Sequence, residues 1–484
     1  MEDALKKQAV SGLGWYFLQR FGTQAVTFLL SVILARLLDP AAYGTVAIVT
    51  VFTNLFTLLI DCGMGTVLIQ KIDADNYDYS TLFYFNLIAS GCAYWLLFGC
   101  APVIGNYYNR PELATIIRVL SLSLPLAGAY NVQSIFLQKT LLFKTIFKLA
   151  LLYSIVSTII GISMAFGGYG VWSLVGMMLG GQCVRNTAAW WLCPWRPACL
   201  FSFQRLKEIF RQGAKLMAVQ IVNYSYGDIC QLIMGKMFTP TNLAYYNKSS
   251  NLPKLLLDNT LYTIDGVMFP VMCKVNDHPE QVRHFMQETT LKSSLLVWPM
   301  LIFLAMLSDE ITLLLYGAKW FPTAFFMKIY CLGYFLHTIN CSNLDALKAL
   351  KQNGLLLKLE ILKKILCFSV LFFSCRYGVV SMALGIATGN LLASVINSYP
   401  NHRLLGYGFL KQMRELAPLL LICGGLTALL LLPRFTVPSL LCRVPLMLLL
   451  GGSFYLVAIH LCYRKHLDDF RQMLLPRFQK RTAN

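Results

Sequence analysis

Long apolar stretches recur from end to end of the chain, and they constrain its fold more than any other feature. A hydrocarbon core about 30 Å thick needs about 20 apolar residues for each helical span. Of the 484 residues, 57% are hydrophobic and only 13% are charged. A soluble protein of this length would carry about twice that charged fraction. The sequence therefore predicts an all-α, polytopic membrane protein.

Turn residues and charge clusters divide these stretches into about fourteen spans of suitable length. The first stretch is too long for the apolar region of a signal peptide and lacks a small-residue cleavage site, so we expect it to remain as the first span. The predicted spans are 13–38, 43–69, 80–105, 113–137, 147–168, 170–193, 213–237, 243–273, 289–316, 323–348, 356–375, 378–400, 415–432 and 440–462.

Lysine and arginine residues in the short loops set the expected orientation. With the N-terminus inside, the loops that contain Lys139, Lys144, Arg205 and Lys207 face the cytoplasm, and the outer loops are nearly neutral, as the positive-inside rule requires. An even number of spans puts the C-terminus inside as well. The net charge of +19 then follows mostly from topology and favours anionic lipid. Basic residues spread over many loops do not indicate nucleic-acid binding.

The chain contains a weak internal repeat. "ARLLDPAAYG" (35–44) aligns with "GKMFTPTNLA" (235–244), so that Arg36 pairs with Lys236 and Pro40 pairs with Pro240. Both segments end one predicted span and begin the next through a short outer loop. An even number of spans separates them, so the two halves enter the membrane in the same orientation. Parallel repeats of this kind place a substrate site near the midplane, at their interface.

Polar stripes run along three of the predicted spans. Residues three and four positions apart share one face of a helix. The stripes are Tyr16, Arg20, Thr23, Gln24 and Thr27 in the first span, Gln220, Asn223, Tyr224, Gly227 and Gln231 with Asp228 at the border in the seventh, and Asn247, Ser250, Asn251, Lys254, Asp258, Tyr262 and Asp265 in the eighth.

These stripes have to face protein or water. A charged side chain at the centre of a membrane helix costs about 2.5–3.5 kcal/mol on insertion scales. One alternative is that the polar groups only hold helices together, for example through a local ion pair between Lys254 and Asp258. A hydrated cavity explains more, because polar stripes occur in both halves of the repeat.

Three further charged residues fall inside predicted spans. Arg118 and Arg185 are candidates for the same cavity, and Asp61 is either a gate or a packing contact. The fifteen cysteines are scattered without a CxxC pair, so we expect no metal site and no disulfide framework. The sequence contains no phosphate-binding loop that would indicate ATP hydrolysis.

Several segments together resemble the Wzx-type flippases of the polysaccharide transporter family, within the multidrug/oligosaccharidyl-lipid/polysaccharide superfamily. They follow the order of the family over about residues 10–350, and the match is closest to the lipopolysaccharide-biosynthesis and colanic-acid-exporter branch. The segments include "ILARLLDPAAYGTVAIVTVF", "DCGMGTVLIQK", "APVIGNYYNRPELATIIRVLS", "FGGYGVWSLV", "IMGKMFTPTNLAYYNKS" and "LLLYGAKW".

The resemblance implies an N-terminal six-helix lobe (1–200), a C-terminal six-helix lobe (201–405) and two extra transmembrane helices with a basic cytoplasmic tail (406–484). It implies a secondary transporter, not an enzyme. The substrate would be an undecaprenyl-diphosphate-linked oligosaccharide, moved across the bacterial inner membrane by alternating access for surface polysaccharide or lipopolysaccharide synthesis. No cofactor is implied, since a proton or sodium gradient would drive transport. Membrane lipid, a polysaccharide polymerase and a chain-length regulator are the implied partners.

The family has no short invariant motif, so the site residues follow from their position in the expected cavity. We expect Arg20 and Lys254 to contact the diphosphate, and Asp61 is a candidate gate. Ion or proton coupling is expected at Asp228, Asp258 or Asp265. The residues expected to bind substrate are Tyr16, Arg20, Gln24, Arg118, Arg185, Gln220, Asn223, Tyr224, Asn251 and Lys254.

Three rival functions stay open at this point. A multidrug exporter of the same superfamily, driven by a cation gradient, would need an apolar, aromatic pocket with acidic residues, whereas basic residues are in surplus in these spans. A membrane enzyme such as a polysaccharide polymerase or ligase would carry a large outer loop, and every predicted outer loop is short. A scaffold protein within a sugar-export complex is the third possibility.

Overall fold

The structure is a computed structural model that describes residues 22, 24, 26–436 and 440–464; at 215, 216, 218–220, 222–225, 353, 435, 440 and 441 it describes the backbone alone. Within these ranges the regular structure is helical, as the sequence predicts. Contacts group the chain into two units, Met1–Ala244 and Tyr245–Asn484. The predicted lobe boundaries at 200 and 405 stay a prediction.

The first unit contains nine helices and the start of a tenth among the described residues. They are α1 (Val26–Leu37), α2 (Pro40–Asp61), α3 (Met64–Gln70), α4 (Asn76–Tyr107), α5 (Glu112–Leu120), α6 (Ser123–Lys139), α7 (Phe143–Phe166), α8 (Val171–Leu192), α9 (Phe203–Met237) and α10 (Pro240–Ser249), which continues into the second unit.

The second unit continues with nine more helices in its described part. They are α11 (Asn251–Lys274), α12 (Pro279–Met306), α13 (Ser308–Leu315), α14 (Pro322–Gly333), α15 (His337–Ala349), α16 (Asn353–Ser374), α17 (Val379–Leu405), α18 (Phe409–Thr436) and α19 (Leu440–Cys462). Two 3₁₀ turns, Ala318–Trp320 and Cys375–Tyr377, also belong to this unit.

Eight helical segments in the described ranges are long and apolar enough to cross a membrane. They show that the chain is a multi-pass membrane protein, while the predicted count of fourteen stays a prediction. The segments are Pro40–Asp61, Asn76–Tyr107, Glu112–Lys139, Phe143–Phe166, Pro279–Met306, Val379–Leu405, Phe409–Arg434 and Cys442–Cys462.

Five predicted spans each contain a turn that the sequence analysis did not predict. The spans 43–69, 113–137, 243–273, 289–316 and 323–348 each contain two helices. In the first of them Cys62 (φ 47°) and Gly63 (φ 68°) adopt left-handed backbone conformations that end α2. Pro125 and Pro253 follow two other breaks, and each lacks the N–H that would bond the carbonyl four residues earlier. The second and eighth spans are broken, and so are the fourth and tenth.

The segments aligned in the repeat have the same local structure. Helix α1 ends at Leu37 and α2 begins at Pro40, whereas α9 ends at Met237 and α10 begins at Pro240. Proline suits the first turn of a helix, because the N–H groups of that turn have no partner within the helix. This agreement, together with the matching breaks, supports the internal repeat.

Ionic contacts at one end of the first unit hold the start of α9, and the segment before it, against the start of α4. Arg205 pairs with Asp75 and lies 3.4 Å from Asp78, and Lys71 lies 2.6 Å from Asp78. The hydrogen bond from Arg205 lowers the pKa of Asp75 to about 2. Trp195 Nε1 also donates to Asn76 Oδ1 at 2.8 Å. Charged groups therefore hold the start of α9 against the start of α4.

Two carboxylates of α13 connect this helix to α18 and α19, the last two helices of the described chain. Asp309 accepts from Lys328 at 2.8 Å and also pairs with Arg434 of α18. Glu310, which is 1% exposed, pairs with Arg443 of α19 at 2.9 Å. A buried carboxylate without such a partner would be strongly destabilising. Asp309 and Glu310 are therefore structural residues.

Gly44→Ala is expected to destabilise the fold. A Cβ atom at Gly44 would lie 2.8 Å from the Pro240 Cα and would collide with the Pro240 carbonyl, so α2 and α10 would have to move apart. Overpacking of this kind costs about 1–3 kcal/mol. The melting temperature of the purified protein should fall. The matched control is Gly91→Ala in α4, where nothing lies within 4 Å of the new Cβ; equal melting temperatures for the two variants would show that the close contact does not matter.

Candidate substrate-binding cavity

A cavity of about 350 Å³ opens between α2, α6 and α8 of the first unit. Six of its nine lining residues carry polar groups, although α2 and α6 belong to segments that are apolar enough to cross a membrane. The cavity contains both Asp61 and Arg185, two of the residues that the sequence predicts for the transport site. The lining residues are Thr57, Ile60, Asp61, Ala127, Gly128, Tyr130, Asn131, Ser134 and Arg185.

Arg185 holds its guanidinium group between two tyrosine rings. Its Cζ lies 4.3 Å from the centroid of the Tyr130 ring and 5.1 Å from that of the Tyr153 ring. Such rings attract a cation, and more strongly where water is excluded. In the part of the chain that the structure describes, Arg185 Nε has no hydrogen-bond partner and no carboxylate pairs with the guanidinium. The rings therefore stabilise the charge without using the N–H groups of the guanidinium.

Asp61 is the last residue of α2 and lies at the break between α2 and α3. Its Oδ1 accepts a hydrogen bond from Asn131 Nδ2 at 3.0 Å. The same oxygen lies 3.1 Å from the position of a Cβ on Gly65, so the carboxylate is against the first turn of α3. The positive end of a helix dipole favours an anion there. The Asp61 carboxylate thus has a hydrogen-bond donor in α6 and the start of α3 beside it.

Only part of the polar stripe predicted for the eighth span lies on one face of α11, because Asn247 belongs to α10 and Ser250 is buried at the break between the two helices. Asn251, Lys254 and Asp258 are exposed within the second unit, and Asp265 is half-buried. Lys254 Nζ lies 5.9 Å from the centroid of the Tyr330 ring. The opposite face packs into the hydrophobic core of this unit. If α11 crosses the membrane as the sequence predicts, the charges on this face require water beside them.

The other predicted site residues are placed less fully. Tyr16 and Arg20 lie outside the described residues, as do the side chains of Gln220, Asn223 and Tyr224. Gln24 and Asp228 are described and half-buried.

Arg118 is not brought to the Asp61 cavity. Its Cζ stacks on Phe98 of α4 at 4.7 Å, and its Nε is 3.5 Å from the Phe98 carbonyl. The structure therefore brings Asp61 and Arg185 together and leaves Arg118 apart from them.

Several neighbours of the charged residues were not predicted from the sequence. Tyr130, Asn131 and Ser134 lie in the fourth span at the spacing of one helix face, and this pattern could have identified them. Tyr153 in the fifth span offered no such signal.

Lys248, which is 5% exposed, lies 4.7 Å from the Tyr316 ring and 5.8 Å from the Trp320 ring. In the described ranges, no three His, Cys, Asp or Glu side chains group as metal ligands would.

Water access to α11 can be tested with single cysteines in a background where the fifteen natural cysteines are replaced. Thiolate is the reactive form, and it does not form in lipid. Tyr262→Cys, at a position 57% exposed on the polar stripe, should react with a membrane-impermeant maleimide from at least one side of the membrane. Leu421→Cys, at an apolar position 78% exposed on α18, should not react. Equal reactivity at both positions would contradict a hydrated α11 face.

The sequence is similar to proteins of bacterial polysaccharide synthesis. The family described as "Polysaccharide biosynthesis protein" matches residues 33–324. The succinoglycan biosynthesis transport protein ExoT of Rhizobium meliloti (strain 1021) is 22% identical over 65% of this chain. The match covers 64% of ExoT, just under two thirds of its length. The lipopolysaccharide biosynthesis protein WzxC of Escherichia coli (strain K12) is 23% identical over 82% of this chain and 80% of its own length.

Two solved structures have the same fold. A lipid II flippase, MurJ, in an inward closed conformation covers 93% of this chain and 99% of its own with a TM-score of 0.77 at 13% identity. A multidrug resistance MATE family transporter of the MOP superfamily, in an inward-facing conformation, covers 79% of this chain and 94% of its own with a TM-score of 0.64 at 14% identity. The chain therefore belongs to the polysaccharide biosynthesis protein family and is a multi-pass helical membrane protein with the fold of these two structures.

Proposed function

We propose that the chain is a flippase that moves a lipid-linked oligosaccharide from the inner to the outer leaflet of the bacterial plasma membrane. The membership of the family and the names of its relatives support a role in polysaccharide export. The observation that carries the proposal at the level of chemistry is the guanidinium of Arg185, held over a polar cavity without an anionic partner in the described chain.

The substrate class follows from what such a cavity can stabilise. A polyprenyl diphosphate with a glycan head has an anionic, hydroxyl-rich part that cannot cross hydrocarbon and an apolar tail that need not leave it. Arg185 would bind the diphosphate or an acidic sugar, since a guanidinium donates strong, directional hydrogen bonds to such groups. Tyr130 would pack against a sugar ring, and Asn131 and Ser134 would bond its hydroxyls.

Movement by alternating access is the second part of the proposal. Because the substrate would leave the inner leaflet and enter the outer one, the cavity would have to open to each side in turn. Asp61, at the break in the second span, is proposed as a gate, and Asp228, Asp258 and Asp265 are candidates for coupling to a proton or sodium gradient. A polymerase and a chain-length regulator would use the delivered product.

A multidrug exporter is the weaker alternative. Its cationic substrates would be repelled by Arg185, and the described cavity offers them only Asp61, whose Oδ1 already accepts from Asn131. The shared fold does not favour this function, because a likeness at 14% identity concerns architecture alone.

Arg185 variants test the function in cells. In a strain without the gene, we expect lipid-linked oligosaccharide to accumulate on the cytoplasmic face and surface polysaccharide to disappear. Loss of a charge-assisted contact costs about 1.5–3 kcal/mol, so Arg185→Gln should slow export by about 10–100-fold. Arg185→Lys should be intermediate, because lysine keeps the charge but not the planar group that fits between two rings.

The matched control is Arg118→Gln, which removes another ring-stacked guanidinium of the same unit. At equal expression, Arg118→Gln should export more glycan than Arg185→Gln. If Arg185→Gln restored surface polysaccharide fully, the Arg185 guanidinium would not be needed for export and the proposed role of the cavity would be wrong. Unchanged surface glycan together with new drug sensitivity in the deletion strain would support the multidrug alternative.

A further inference from the structure

A second, apolar cavity lies in the first unit where α4 and α9 end, with a volume of about 540 Å³. We name it the α4–α9 groove. Tyr107, Tyr108 and Lys236 lie at its polar end, where both helices terminate. Its apolar lining is formed by Phe52, Val103, Ile104, Leu232, Ile233 and Met237.

The groove is open at the surface of the first unit. Val103 is 69% exposed, Tyr107 is 60% exposed and Met237 is 48% exposed. In a bilayer, exposed apolar side chains on membrane-spanning helices contact hydrocarbon. Water gains few hydrogen bonds in an apolar groove, and an empty groove would lose the dispersion contacts of its walls. A lipid chain is therefore the natural occupant.

The polar end is organised for an anion at headgroup depth. Lys236 Nζ donates to the Tyr107 carbonyl and lies 4.3 Å from the centroid of the Tyr107 ring. No carboxylate of the described chain pairs with Lys236. Tyrosine rings and lysines at span ends typically lie at the membrane–water interface. The ammonium is thus held in one place at the level of lipid phosphates.

The groove has a fixed wall as well as a charge. Tyr108, 8% exposed, donates from its hydroxyl to the Leu232 carbonyl at 3.3 Å and so joins α4 to α9 at this end. A single ammonium with no second cation in the lining matches one phosphate better than a diphosphate. The orientation predicted from the basic loops puts this end at the outer leaflet.

We propose that the α4–α9 groove binds one anionic glycerophospholipid, with an acyl chain along the apolar lining and its phosphate at Lys236 Nζ. The site is separate from the Asp61 cavity. The inference requires only that the chain spans a membrane, so it can hold if the flippase function fails, and it can fail while the function stands.

Native mass spectrometry of the delipidated full chain tests the site. With phosphatidylglycerol we expect one saturable lipid, bound more tightly than phosphatidylcholine. One lysine near anionic lipid is worth about a fivefold change in affinity, so Lys236→Gln should weaken phosphatidylglycerol binding by about that factor. Val103→Trp, at an exposed position at the mouth of the groove, should reduce binding of both lipids.

Arg376→Gln is the control, because Arg376 also stacks on an aromatic ring near the end of a helix, with its Cζ 4.7 Å from the Phe372 centroid. It should bind phosphatidylglycerol as the natural chain does. Unchanged binding in both Lys236→Gln and Val103→Trp would overturn the site. Equal affinity for phosphatidylglycerol and phosphatidylcholine would overturn the role of Lys236. Preference for undecaprenyl phosphate over phosphatidylglycerol would overturn the choice of occupant.

Discussion

The cost of placing charge in hydrocarbon governs the arrangement of polar groups in this protein. Each charged side chain within a span requires water, a counter-ion or a ring. Three different solutions occur in the described chain. Asp309 and Glu310 form ion pairs with arginines of the last two helices. Arg185 is held between two tyrosine rings. Helix α11 leaves its charged residues on an open face. The first solution stabilises the fold, whereas the other two leave polar groups that a substrate could use.

Breaks in the helices are the second general feature, and they follow from the same cost. A break creates helix ends inside the apolar layer, and those ends can stabilise an ion that a continuous helix would expose to lipid. The arrangement of Asp61 agrees with this, because its carboxylate lies beside the first turn of α3. The breaks in the second and eighth spans, and in the fourth and tenth, agree with the internal repeat, whereas the ninth span is broken and the third is not.

The fold class was predictable from the sequence, because hydrophobic length and loop charge act over whole segments. The pairing of Pro40 with Pro240 was also predictable, and the two helix starts confirm it. The breaks were missed because mean hydropathy averages over a short turn. Proline was no guide to them either, because Pro102 and Pro299 lie within helices that continue past them. Within the site, the charges of Asp61 and Arg185 were visible in sequence, but Tyr153 was not, since only tertiary packing brings its ring to Arg185.

The most direct test of the central claim is transbilayer movement by the purified chain alone. Liposomes would contain a lipid-linked oligosaccharide in both leaflets, and a membrane-impermeant oxidant of sugar diols would report the accessible fraction. We expect the natural chain to make the inner-leaflet glycolipid accessible with time, and Arg185→Gln to do so more slowly. If the accessible fraction stays at the outer-leaflet level of protein-free liposomes, with and without an imposed proton or sodium gradient, the chain does not flip lipid-linked oligosaccharide by itself.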